Sequence, residues 1–253
     1  MSVLNQIQKP QDRPGIITIC GDAGMGKTSL ACAWPDPIVV RAEDGLQSIP
    51  ADSRPDAFPV VEKVDQLWQQ LSALINEDHS YKTLIIDSVT QLEQLFIKDV
   101  IDSDPKKPRG INQALGGFGN GTGAVSEMHQ RVRKAAGILN AAGMHIVFIA
   151  HADTETIELP DQDAYTRYSL RLNKRSMSPY VDNVDMVAFL KLQSFTVQKD
   201  ETSRAKAISD GSRVAVCYAT AANISKNRYG ITEDLPVEKG VNPFIPFIKS
   251  LSA

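Results

Sequence analysis

A chain of 253 residues is long enough to bury a full hydrophobic core as one large domain, and 42% hydrophobic with 23% charged residues is the make-up of an ordinary globule. A formal net charge of −3 excludes a global attraction to nucleic acid, so any DNA contact has to come from a local patch. No apolar run reaches the roughly 18 to 20 residues that span a bilayer, and Cys20, Cys32 and Cys217 neither pair completely nor show zinc-site spacing, so a cytoplasmic protein with reduced thiols and no membrane partner is expected.

In chain order, a polar segment over residues 1–13 precedes Ile16-Ile17-Thr18-Ile19-Cys20, an apolar run suited to a strand covered on both faces. A glycine loop follows, then a helix expected from Thr28 to Trp34 and stopped by Pro35 and Pro37. Ile38-Val39-Val40 reads as a second strand. Val64, Leu67, Leu71, Leu74 and Ile75 recur at helical spacing over residues 62–76. Thr83 to Asp87 is a third buried strand closed by an acid, and Val89, Leu92, Leu95 and Phe96 predict a helix after it. Residues 102–124 are rich in glycine and are expected to form a surface loop. A helical face on Val125, Met128, Val132, Ala135 and Leu139 leads to the strand His145–Ala150, ending at His151. Residues 152–175 are read as a loop that opens with Asp153, Glu155, Glu158, Asp161 and Asp163 and then turns basic and aromatic. Further strands are expected near 186–193 and 213–219. Buried strands alternating with helices predict an α/β fold, a mainly parallel sheet flanked by helices.

Gly21-Asp22-Ala23-Gly24-Met25-Gly26-Lys27-Thr28 satisfies GxxxxGK[ST] in full, between a predicted strand and a predicted helix. Its glycines let backbone N–H groups turn inward around phosphate oxygens, and the start of the helix adds a favourable dipole. The loop, through Ser29, is expected to hold ATP, with Lys27 on the β and γ phosphates and the Thr28 hydroxyl on Mg²⁺. Asp87, carried to the same strand edge, is expected to bind Mg²⁺ directly or through water. Glu43, beyond the second strand, is placed to orient or deprotonate the attacking water, with the adjacent Asp44 as an alternative. His151 ends its strand at the same edge, where it can hydrogen-bond the γ phosphate. His79, His129 and His145 are too dispersed for a metal cluster, and a satisfied strand or surface histidine is the expectation for His145.

Four segments in this order, the glycine loop, PIVVRAEDGL, TLIIDSV and VFIAH, resemble the RecA-type ATPase superfamily. Specifically, they resemble the compact phage-encoded RecA-like ATPases implicated in single-strand annealing recombination. The resemblance implies a RecA-like P-loop NTPase core over residues 14–253, with residues 1–13 as an arm laid on the next protomer. It makes Glu43 the catalytic base, Asp87 the Walker B acid and His151 the phosphate sensor, where recombinases often carry glutamine. Lys226-Asn227-Arg228-Tyr229-Gly230 resembles the KNRxG segment of hexameric RecA-type helicases, whose lysine and arginine reach a neighbouring subunit's ATP. Lys226 and Arg228 thereby become trans-acting groups in a homo-oligomer, and such an arginine raises hydrolysis by roughly 10³ to 10⁵ in related enzymes.

The same resemblance brings residues 102–124 and 152–175 towards single-stranded DNA near the oligomer axis. In the first, Lys106, Lys107 and Arg109 supply phosphate contacts. In the second, Arg167, Arg171, Lys174 and Arg175 lie among Tyr165 and Tyr168, which adds base stacking. The function expected is a DNA-stimulated ATPase in the host cytoplasm that promotes annealing or strand pairing in phage recombination, with a single-stranded-DNA-binding protein as a further partner. Two other classes stay open: a helicase-like or loader ATPase in replication, and a nucleotide-gated interaction module without turnover.

Overall fold

A computed structural model describes residues 3–9, 11–193, 195–197, 206–208 and 211–251. Strand β1 (Ile16–Gly21) is buried at every position, as its unbroken apolar run requires. Helix α1 (Lys27–Ala31) is shorter than expected. After Ala31 the chain continues in tight turns to Trp34, with Ala33 N–H on Leu30 O and Trp34 N–H on Ala31 O. β2 (Pro37–Arg41) and the short β3 (Asp56–Ala57) lead to α2 (Val64–Asn76), which buries Val64, Leu67, Leu71 and Leu74 on one stripe. β4 (Thr83–Asp87) is buried throughout, and α3 (Val89–Ser103) starts at Ser88, whose hydroxyl accepts the Gln91 N–H as an N-cap.

The helix expected from Ala124 begins earlier: α4 spans Asn120–Ala141 and takes in the last two glycines of the presumed loop. Glycine weakens a helix interior, but at Gly121 the absence of a side chain is what packing needs, since a Cβ there would collide with Ile111 O. The loop read over 152–175 is also corrected. β5 (His145–Leu159) runs straight on past His151 and turns at Pro160-Asp161 into β6 (Gln162–Leu170), a long antiparallel hairpin. Its outer part is exposed on one face, and its half-buried face mixes Glu155 and Arg167 with Ile157 and Tyr165, so clean apolar alternation is absent; β-branched and tyrosine residues and the cross-strand pairs Glu155↔Arg167 and Ile157↔Tyr165 hold it instead.

α5 (Ser178–Val181), β7 (Met186–Leu192), β8 (Phe195–Val197), β9 (Lys206–Ile208), β10 (Arg213–Val216), β11 (Lys226–Asn227) and β12 (Leu235–Pro236) complete the chain. The main sheet has the order β12-β10-β7-β1-β5-β4-β2-β3. It is parallel from β7 to β3, with β10 and β12 antiparallel at one end. Successive residues of each central strand face opposite layers. Ile16, Leu84, Ile86, Ile146 and Phe148 pack with Leu67, Leu71, Phe96 and Val132 on the side of α2, α3 and α4. Ile17, Ile19, Ile85 and Val147 pack with Leu30, Trp34, Phe244 and Ile248 on the other. His145 is a satisfied strand histidine, its Nδ1 accepting the Gly15 N–H at 3.0 Å. This is the expected α/β architecture, a mainly parallel sheet covered by helices, and its parallel strands deliver Gly21, Arg41, Asp87 and His151 to a single edge.

Candidate nucleotide-binding site

The loop after β1 turns on Gly24 and Gly26, whose φ values of 77° and 86° suit glycine and strain any other residue. Lys27 is buried, and its ammonium donates to Gly21 O at 2.9 Å and Asp22 O at 2.8 Å, bonds that phosphate oxygens can replace. Burial lowers the pKa of this lysine from its ordinary value. Below it, the Thr28 hydroxyl donates to Asp87 Oδ2 at 2.7 Å. Burial pushes the Asp87 carboxyl up to about 6, partly opposed by that hydrogen bond. These hard oxygen donors fit Mg²⁺. Among the described residues no group of three or more His, Cys, Asp or Glu side chains could hold a metal ion.

Glu43 leaves the end of β2 under backbone control: Ala42 N–H donates to Asp87 O at 2.7 Å, and Glu43 N–H to the same oxygen at 3.3 Å. Its Oε1 lies 3.1 Å from His151 Nε2. That hydrogen bond is the largest influence holding the Glu43 carboxyl below its ordinary range, and Ser88 adds to it. Asp44 is turned away, bonded to Arg41 at 3.1 Å and Gln47 at 2.9 Å. His151 stands beside Gly21 in the β1–β5 register, with its N–H on Thr90 Oγ1 at 3.0 Å. The Asp87–Ser88 peptide bond at the centre of the site is cis.

Lys27, Thr28, Glu43, Asp87 and His151 line a cavity of about 380 Å³ together with Ala23, Gly24, Gly26, Ser29, Gly45, Ser48 and Arg213. Of the predicted loop residues, Met25 instead packs against the hydrophobic layer beneath, and the Asp22 side chain is exposed. Arg213 was not foreseen. It belongs to no motif and lies far along the chain, and the one signal pointing to it was the strand predicted over 213–219, which fixes neither its neighbour nor its end of the sheet.

Lys226 and Arg228 are not brought to this cavity. β11 pairs with the opposite end of β7, Lys226 beside Val187, whereas Gly21 pairs with Leu190. Lys226 Nζ donates to Asp182 O at 2.8 Å, and Arg228 reaches the buried Asp185 at 3.0 Å, which also holds Arg13 at 2.8 Å. Of the candidate DNA cations, Lys106, Lys107 and Arg109 are exposed on the loop between α3 and α4, where Phe118 is fully exposed. Arg167 is paired with Glu155 at 2.8 Å inside the hairpin. Arg171 and Lys174 are exposed beyond the hairpin, and Arg175 donates to Gly119 O at 3.0 Å, joining that segment to the glycine loop. No helix among the described residues is long and apolar enough to cross a membrane.

A family model described as an AAA domain matches residues 13–229. Among solved structures, the KaiC-like protein PH0186 from the hyperthermophilic archaeon Pyrococcus horikoshii OT3 is similar at 14% identity with a TM-score of 0.48, over 91% of this chain and 88% of that one. No curated protein matches the sequence.

Proposed function

The chain belongs to the AAA domain family of P-loop ATPases, and from that premise we propose that it is an oligomeric, DNA-stimulated ATPase that binds single-stranded DNA and promotes annealing or strand pairing in phage recombination. The observation that carries this reading is the course of β5. One uninterrupted strand passes from the core, through His151 against Glu43, into the hairpin that leads to the exposed Arg171 and Lys174.

At the site, loop N–H groups and Lys27 hold the phosphates. A metal ion held by Thr28 and Asp87 supplies charge neutralisation of the phosphate oxygens. Glu43, kept ionised by His151, accepts a proton from the attacking water as its oxygen bonds to the γ phosphorus and the bond to the ADP oxygen breaks. His151 then has two acceptors available, the γ phosphate and Glu43, and loss of the first changes the hydrogen bond at the root of the hairpin. Arg175 on Gly119 supports treating the glycine loop and the segment after the hairpin as one DNA-facing surface. Lys226 and Arg228 serve a neighbouring subunit's site in this scheme, after release from Asp182 and Asp185.

Annealing of complementary strands, with binding at low salt and unwinding of forked DNA measured in parallel, tests the proposal. ATP-dependent annealing without unwinding is expected. Unwinding of the fork would identify a helicase-like motor instead, and absence of single-strand binding at low salt would end the DNA reading.

A further inference from the structure

Arg213 carries a charge at the mouth of the phosphate cavity that the scheme above leaves unused. Its backbone is fixed: β10 pairs antiparallel with β7, Arg213 opposite Leu192, and Val237 N–H donates to Arg213 O at 2.9 Å. From that anchor the side chain reaches over the glycine loop. Its Nη1 lies 2.9 Å from where a Cβ on Gly26 would stand, so the guanidinium rests directly against the loop. Among the described residues it makes no side-chain hydrogen bond or ion pair. By contrast, Arg13, Arg167, Arg175 and Arg228 each have one.

The strand order gives this arginine a side. β7 and β10 lie on one flank of β1, and β5, β4 and β2 on the other, so Arg213 faces Glu43 and His151 across the loop. Charge supplies the rest. The cavity lining carries two cations, Lys27 and Arg213, against two carboxylates, Glu43 and Asp87, before any phosphate enters. A guanidinium beside a phosphate loop, its planar fork of donors without a partner among the described residues, is suited to bidentate contact with phosphate oxygens.

We infer that Arg213 is a phosphate-binding residue acting in cis, gripping the phosphate chain of the nucleotide held by its own subunit from the flank opposite Glu43. The inference rests on the nucleotide reading of the site. It assigns the arginine on the polyphosphate to the same chain as the loop, distinct from any trans role of Arg228.

The test is equilibrium binding of ATP, ADP, AMP and adenosine to wild type, Arg213→Ala and Arg213→Lys, at low and high protein concentration. Arg213→Ala should weaken ATP and ADP by roughly 10- to 100-fold and adenosine not at all. Arg213→Lys should recover part of the loss, since it keeps the charge and loses the fork. The melting temperature without nucleotide should be unchanged, because the side chain is exposed and makes no hydrogen bond or ion pair among the described residues. Wild-type ATP affinity in Arg213→Ala overturns the inference and leaves the nucleotide reading standing. An equal loss for adenosine overturns it in favour of a base contact, and a loss confined to high protein concentration overturns it in favour of a neighbour's site. A wild type that binds no ATP removes both readings.

Discussion

Glu43 and His151 form a pair whose chemistry depends on both partners. The hydrogen bond from His151 holds the Glu43 carboxyl below its ordinary range, as the proposed base requires, and keeps its Oε1 3.1 Å from the imidazole instead of leaving it free in solvent. Replacing Glu43 with Gln leaves the shape and removes the base. Hydrolysis should fall by about 10² to 10⁴-fold with ATP binding retained; a variant that turns over at the wild-type rate would remove Glu43 from the chemistry. The residues of this centre that were readable in the sequence share one property: each stands at or just beyond the point where the apolar run of a buried strand stops, or sits in a motif whose spacing is local. Gly21 to Thr28, Asp87 and His151 therefore reveal their edge of the sheet without knowledge of any distant contact. Arg213 has no such local mark, because its position depends on β10 pairing with β7 and on the loop across the sheet.

At the level of elements, α3 is held by aromatic contacts from two neighbouring helices. Phe96 is fully buried and stacks with Trp68 of α2 at 6.2 Å and meets His129 of α4 edge-on at 4.9 Å. Phe96→Ala should cost about 3 to 5 kcal/mol, read by denaturant unfolding. His129 is itself fully buried, with Nδ1 2.8 Å from the Tyr180 hydroxyl and Nε2 3.9 Å from Glu93 Oε1. Burial lowers its pKa from 6.5 to about 3. The unfolded chain therefore binds a proton at His129 between these values that the folded chain refuses. The contribution of His129 to stability is complete above about pH 6.5 and drains as pH falls towards 3, by about 1.4 kcal/mol per pH unit. Burial raises Glu93, which acts in the opposite sense, so the comparison has to be with a His129 variant and not with the total slope. His129→Gln should be less stable than wild type at pH 7 yet lose less between pH 6.5 and 4.5. Parallel pH profiles for the two proteins would contradict this. The core strands and α2 were legible because burial writes an apolar run or a stripe at helical spacing. The β5–β6 hairpin was not, since its outer half is exposed on one face and only half-buried on the other, and its acids resemble those of a loop. The early start of α4 was hidden by Gly121 and Gly123, which read as loop residues, although Gly121 packs against Ile111 inside the helix.

For the whole molecule, the sheet order places β1 in the middle, with Glu43, Asp87 and His151 on one flank and Arg213 on the other, while Lys226 and Arg228 lie at the far end of β7. One chain thus brings Lys27, Thr28, Asp87 and Glu43 to one cavity, the groups that the proposed function uses for phosphate binding, metal ligation and base catalysis, and carries exposed cations on the loop before α4 and on the segment after the hairpin. Alternation of strand and helix announced the parallel sheet; the antiparallel pair β10 and β12 depends on contacts that no local pattern encodes. The measurement that bears most directly on the proposed coupling is ATP turnover with and without single-stranded DNA, for wild type and Glu43→Gln at equal protein concentration. The account predicts that DNA raises the wild-type rate and that Glu43→Gln is nearly inactive in both conditions while still binding ATP. Equal wild-type rates with and without DNA, or turnover unaffected by the substitution, would contradict it.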